Sequence, residues 1–185
     1  MDTASKERIR QVLWPTAATV PLSVWAVLDL ARDRRTHAAL LASRLDFVCL
    51  YAGRIPRELE LVAPHIVELP PGHRFVDRLL DEGFGQSWGI FAKIADPTAL
   101  RHHLRKLLKM RDESGRTLLF RYYDPRVLGP FLRTCDAEQL RTMFGPVKSF
   151  VAEEETGLAL REFSLTQIGR LTDTVAPIAE SRVPT

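Results

Sequence analysis

At 185 residues and 45% hydrophobic content, the chain is long enough for one well-buried core and short for two independent ones, so one domain with short extensions is expected. Its net charge of +3 and pI near 9.1 fall short of the dense Lys/Arg excess that binding a phosphate backbone demands, and nucleic acid is not indicated as a partner. Cys49 and Cys135 stand far apart without CxxC or Cys/His spacing, which signals neither a zinc site nor a disulfide framework and fits a reducing cytoplasm. No apolar run approaches the ~18 residues of a membrane-spanning helix, and the first ten residues are mostly charged and polar; a soluble, uncleaved protein without membrane insertion is expected.

Along the chain, Ile9, Val12 and Leu13 give residues 5–14 a weak amphipathic helical face that Pro15 ends. VWAVLDL (24–30) reads as a buried strand, 34–43 as a helix, FVCLY (47–51) as a second strand, and HIVEL (65–69) as a third after a short helix beyond Pro56. Phe75 to Leu80 has helical spacing and ends at Gly83, a candidate C-cap, before strand character resumes in SWGIFAKI (87–94). Asp96-Pro97 is a strong helix start: Asp accepts an amide bond as N-cap and Pro fits the first position, whose missing donor costs nothing. Leu100, Leu104, Leu107 and Leu108 form that helix's buried stripe, and TLLFRYY (117–123) reads as a fifth strand with Leu118, Phe120 and Tyr122 on one face.

Strands alternating with helices predict an α/β fold with a largely parallel central sheet of about five strands and flanking helices. Beyond residue 125 the pattern changes to a short helical C-terminal part, including Asp136-Ala137-Glu138-Gln139, a capping box in form. From Val147 the periodicity ends, and the Pro-containing polar terminus is expected to fray. The division is 1–23, an N-terminal helical extension; 24–148, the main α/β domain; and 149–185, a partly flexible extension.

Several patterns invite a chemical reading. GQSWG (85–89) has the G-x-S-x-G form of a hydrolase elbow with Ser87 as nucleophile, but an elbow needs a strand before the serine and a helix after it, and here the order is reversed. A Gly-rich turn that lets Trp88 enter the sheet fits better. GFG (83–85) fails as a dinucleotide fingerprint for want of a following helix. His102 and His103, adjacent on a helix, point about 100° apart and cannot readily share a metal, while His37, His65 and His73 are solitary. Arg101, Arg105 and Lys109 recur every fourth residue as a cationic strip, either a solvated face or a dock for an acidic surface. DLARD (29–33) sets two carboxylates at a strand end, with Arg32, Arg34 and Arg35 as ready partners.

FRYYDPRVLGPFL (120–132) is the most unusual stretch. Asp124-Pro125 repeats the cap logic of Asp96-Pro97, which occupies the carboxylate; Pro130 is expected to interrupt the helix after one or two turns. Arg126, in the unfavourable first turn of a helix, calls for a carboxylate partner in the fold or on another protein.

LLFRYYDPRVL resembles the signature of the type VI secretion effector adaptor, or effector chaperone, family (Tap/Tec type), long catalogued as a domain of unknown function. Further matches follow in family order: Leu28-Asp29 with Ala31-Arg32, Leu50-Tyr51, Ala63-Pro64, Ser87-Trp88-Gly89, the basic helix Arg101 to Leu108, Arg111-Asp112 with Gly115, Glu138-Gln139-Leu140 and Phe144-Gly145-Pro146. The resemblance spans about residues 24 to 148. It implies a non-enzymatic cytoplasmic adaptor, without cofactor or metal, that binds a cognate secreted effector and helps load it onto the VgrG spike protein. Many members carry a longer C-terminal region associated with effector choice; only about 37 residues follow Lys148 here, so the helices after Asp124 and the short tail are expected to do that work. The candidate partner-binding residues are Arg101, Arg105, Lys109, Arg121, Tyr123, Asp124 and Arg126. The rival readings are a small hydrolase-like enzyme using Ser87 with His65 or His103, and a basic nucleic-acid-binding module working through Arg101 to Arg111.

Overall fold

The computed structural model describes residues 1–16, 20–111 and 114–178. Asp2 caps the first helix, α1 (Thr3–Leu13), through the Ser5 amide, and Ile9 and Leu13 form its buried stripe. Strand β1 (Ser23–Asp29) leads to α2 (Arg34–Ser43), β2 (Phe47–Cys49), the short α3 (Arg57–Glu60) and β3 (Pro64–Glu68). Helix α4 (Arg74–Arg78) continues as one π turn, Leu79–Gly83, before β4 (Gly89–Ile94). A 3₁₀ turn capped by Asp96 then opens α5 (Leu100–Leu107), as the Asp-Pro pair predicts. The remaining elements are β5 (Lys109–Arg111), β6 (Thr117–Leu119), α6 (Pro125–Thr134), α7 (Ala137–Phe144), β7 (Val147–Glu153), β8 (Ala159–Leu165) and β9 (Leu171–Pro177).

Seven of these strands make one sheet in the order β2-β3-β1-β4-β7-β8-β9, and every neighbouring pair is antiparallel. This corrects the expectation of a largely parallel five-stranded sheet, and the reason is interleaving. β1 and β2 run in the same direction, as a strand-helix-strand unit requires, but β3 inserts between them in the opposite sense. β3 and β4 likewise share a direction, with β1 between them. Both faces of β1, β3 and β4 are covered, so these strands read as near-continuous apolar runs whichever way they point.

Side chains alternate between two cores. Val24, Ala26 and Leu28 face a layer containing Ile9, Leu40 and Phe75 from α1, α2 and α4. Val27, Ile90, Ala92 and Phe150 face Leu104, Leu128 and Leu140 from α5, α6 and α7. One polar device crosses the first layer: Lys93, buried on β4, reaches Glu162 on β8 at 2.8 Å and the Val12 carbonyl at the end of α1. Ser149 donates to the same Glu162 at 2.6 Å, so the ion pair is also hydrogen-bonded.

Four local expectations are corrected. The strand expected over 117–123 is only Thr117–Leu119, which pairs with β5 in a separate two-stranded hairpin, while Tyr122 and Tyr123 turn into the core. The basic helix ends at Leu107, which leaves Lys109 on β5. Pro130 does not break α6: it lies on the exposed side, while Leu128, Gly129 and Leu132 hold the inner face on the sheet. A Cβ on Gly129 would approach the Phe163 ring to 3.1 Å, so the glycine sets how close the helix can come. Finally, residues 147–177 are not irregular but supply three strands of the main sheet. The frayed end expected within 179–185 lies outside the described residues, as does Asp112 of the Arg111-Asp112 match.

β4 crosses β1 closely at Gly89, where an added Cβ would meet the Val27 carbonyl oxygen at 2.1 Å. Gly89→Ala should therefore part the two central strands and cost roughly 3 kcal/mol, read as a lowered midpoint in urea denaturation.

Candidate functional site

The sequence motifs meet at one end of the sheet. β1 ends in Asp29, whose side chain is almost wholly buried. Its carboxylate accepts the Ala31 amide at 3.1 Å and an Arg121 guanidinium N–H in a short contact. Its backbone N–H donates to the Trp88 carbonyl at 2.8 Å, and Arg32 Nε donates to the Gln86 carbonyl at 3.2 Å, which ties the DLARD turn to the GQSWG loop. The second carboxylate of DLARD, Asp33, caps α2 and is gripped by Arg35, whose side-chain hydrogen bond pulls its pKa down to about 2.

The GQSWG loop binds a carboxylate of its own chain. Gly85 and Ser87 both have positive φ, +77° and +57°, and their amides converge on Glu153 at the end of β7, at 2.5 and 2.6 Å. Alternate amides turned towards one point by a Gly-rich loop make an anion-binding concavity of the nest type. Burial raises the Glu153 pKa, and the Gly85 and Ser87 amides only partly offset it. The two histidines named as partners for Ser87 are engaged elsewhere: His65 Nδ1 lies 3.0 Å from the Ala63 carbonyl and His103 Nε2 lies 2.9 Å from that of Met143. The motif is thus a receptor for Glu153, and among the described residues no histidine is hydrogen-bonded to the serine.

The 120–132 stretch supplies the other half of the knot. Tyr122 is fully buried and its hydroxyl donates to the Leu104 carbonyl at 3.0 Å, which pins the segment beneath α5. Tyr123, also buried, sits within electrostatic reach of Asp29, Tyr51 and Arg121, and burial drives its pKa upward. Asp124 caps α6 through the Arg126 amide at 3.0 Å, and the Arg126 side chain closes back on it at 2.9 and 2.6 Å. Burial pushes the Asp124 carboxyl up, but the Arg126 hydrogen bonds and charge outweigh it and leave the pKa below the usual value. Arg126 therefore has its carboxylate partner two residues away.

Of the sequence-predicted binding residues, Arg121, Tyr123, Asp124 and Arg126 come together here. Arg105 lies one layer away: its guanidinium donates to the carbonyls of Cys49, Leu50 and Tyr51 at 3.0 to 3.1 Å and so fastens the end of β2 to α5. Arg101 is exposed in the first turn of α5 and Lys109 is exposed on the hairpin, so the three cations do not form one strip. Sequence reasoning missed Glu153 and the pairing of Asp29, whose partner lies 92 positions away. Motif order was the one available signal, because several of the matched segments, those around Asp29, Tyr51, Ser87 and Arg121, are among those that meet.

Arg121 and Arg126 each clamp a buried carboxylate while 44% of the side chain stays exposed, so both present N–H groups outward from a fixed position. Beside them a groove of about 310 Å³ runs between α6 and strands β7 and β8, lined by Arg126, Arg133, Glu153, Glu155 and Arg161 among others. Its charges are largely cross-linked: Arg133 and Arg161 share Asp173, and Arg161 also holds Glu154.

The family described as a domain of unknown function, DUF4123, matches residues 24–142. The chain belongs to the DUF4123 family. No curated protein and no solved structure matches it. The DUF4123 region runs from β1 into α7 and holds every member of the knot except Glu153, which β7 brings from beyond it.

Asp124→Ala should cost about 1 to 2 kcal/mol at neutral pH by removing the cap of α6 and the partner of Arg126. Because the folded carboxyl titrates below its ordinary value, this contribution is present above the usual carboxylate range and fades as pH falls through the lowered pKa. Urea denaturation of the two proteins should differ at pH 7 and converge towards pH 2.

Proposed function

We propose that this protein is a non-enzymatic cytoplasmic adaptor that binds a cognate type VI secretion effector and helps load it onto the VgrG spike. The observation that carries the reading is the convergence of four of the matched segments. Asp29, Arg32, Tyr51, the GQSWG loop and the Arg121 to Arg126 turn all meet at one end of the sheet and spend their polar groups on one another. A constellation of this kind holds a surface in shape rather than presenting a reactive group. It suits a scaffold whose exposed guanidiniums and neighbouring grooves meet another protein, since planar arginine forks and half-buried aromatics are favoured contact residues. DUF4123 membership and the ordered motif series support the same reading. Among the described residues no helix is long and apolar enough to cross a membrane.

Co-expression with the proteins encoded beside its gene, followed by size-exclusion chromatography with light scattering, tests the proposal. A stoichiometric complex with a large effector or spike protein is expected. Elution alone against every neighbour, in low salt and in high, would contradict it.

A further inference from the structure

A depression of about 700 Å³ lies outside the charged knot, walled on one side by the end of α5 and the β5–β6 hairpin and on the other by α6 and α7. Its floor is apolar. Leu107 and Met143 are buried there, Met110, Phe120 and Phe131 are half-buried, and the two phenylalanine rings lie 4.5 Å apart, tilted at 56°. Leu118 stands opposite Met110 in the hairpin register and is 49% exposed, which extends the patch onto β6. Contiguous apolar surface rimmed by polar residues marks an interaction site, and methionines adapt such a surface to a partner's side chains.

The rim has a sign. Lys106 and Lys109 are exposed on the α5–β5 wall and Arg141 on α7, and none of the three forms an ion pair among the described residues. His103 adds no charge at neutral pH, because burial lowers its pKa and the hydrogen bond between its ring and the Met143 carbonyl offsets this only in part. Of the acids at the groove, Asp136 is committed to the α7 cap through the Glu138 and Gln139 amides, which leaves Glu138 on the far wall. The unspent charge around the floor is mainly cationic and concentrated along one side.

We infer that this groove docks an acidic amphipathic helix of a partner protein, its apolar face on the Phe120–Phe131 floor and its carboxylates along Lys106 and Lys109. The floor is a patch of side chains from several elements, so recognition is by apolar anchors at i, i+3 or i+4 and i+7. Charge complementarity supplies orientation and sensitivity to salt. The inference rests on the adaptor reading and adds the place and chemistry of the contact.

The test uses the full chain, a fluorescent helical peptide with leucines at those spacings and glutamates on both flanks, its lysine-flanked counterpart, and a single-stranded oligonucleotide. The acidic peptide should bind, shift the amide resonances of Met110, Phe120, Phe131 and Met143, and weaken at least about tenfold in the exposed double variant Lys106→Glu/Lys109→Glu. Failure of the acidic peptide to bind, equal binding of the lysine-flanked peptide, shifts confined to other surfaces, or lysine-dependent binding of the oligonucleotide in its place would each overturn the inference. The same variant separates this inference from the adaptor reading. If wild type and variant capture an effector equally well, the groove assignment falls and the adaptor stands, whereas if wild type captures no neighbour the adaptor falls and the peptide result alone decides the groove.

Discussion

The contact between Arg121 and buried Asp29 is the constraint on which the site end of the molecule depends. A carboxylate at the end of a covered strand loses its water and must be paid for by a nearby cation. Arginine suits that task because its planar fork can satisfy the carboxylate while part of the group stays in solvent. Reaching Asp29 draws residues 120–124 across the end of the sheet, and three consecutive side chains then part company. Phe120 enters the apolar groove, Arg121 closes on Asp29, and Tyr122 goes into the core beneath α5. One residue on, Asp124 starts α6.

The same logic recurs where the remaining strands join. Glu153 at the end of β7 is held by the amides of the GQSWG loop, and Lys93 on β4 meets Glu162 on β8. Each bond links an element inside the DUF4123 region, a loop or a strand, to a strand beyond it. Strands β7 to β9 thus finish a sheet begun by β1 to β4, and their charges lock the seam. Phe120 lines the apolar groove and its neighbour Arg121 belongs to the knot, so a partner reading the groove would rest on a segment held by the knot.

What the sequence disclosed was local. Asp96-Pro97, Asp124-Pro125 and the Asp136–Gln139 capping box signal through bonds within three residues, and each forms as expected. Strand direction was not legible, since it depends on which strand slips between which. Nor was the Asp29 pairing, because nearer arginines compete for that carboxylate in any linear reading and only Arg35 takes a neighbour, Asp33. The tail's strands carried a fainter signal: Phe163 and Leu165 alternate with Glu162 and Ser164, a period-two pattern that a search for apolar runs passes over. The apolar groove left no linear trace, as its floor is assembled from α5, the hairpin, α6 and α7.

The most direct test is a double-mutant cycle on Asp29→Asn and Arg121→Gln, measured by urea denaturation at neutral pH. If the knot is the tie described here, the two changes will be strongly non-additive, with a coupling of about 2 kcal/mol, because removing either partner alone strands the other. Additivity within about 0.5 kcal/mol would mean that the contact carries no weight in the fold and that residues 120–124 are positioned by something else.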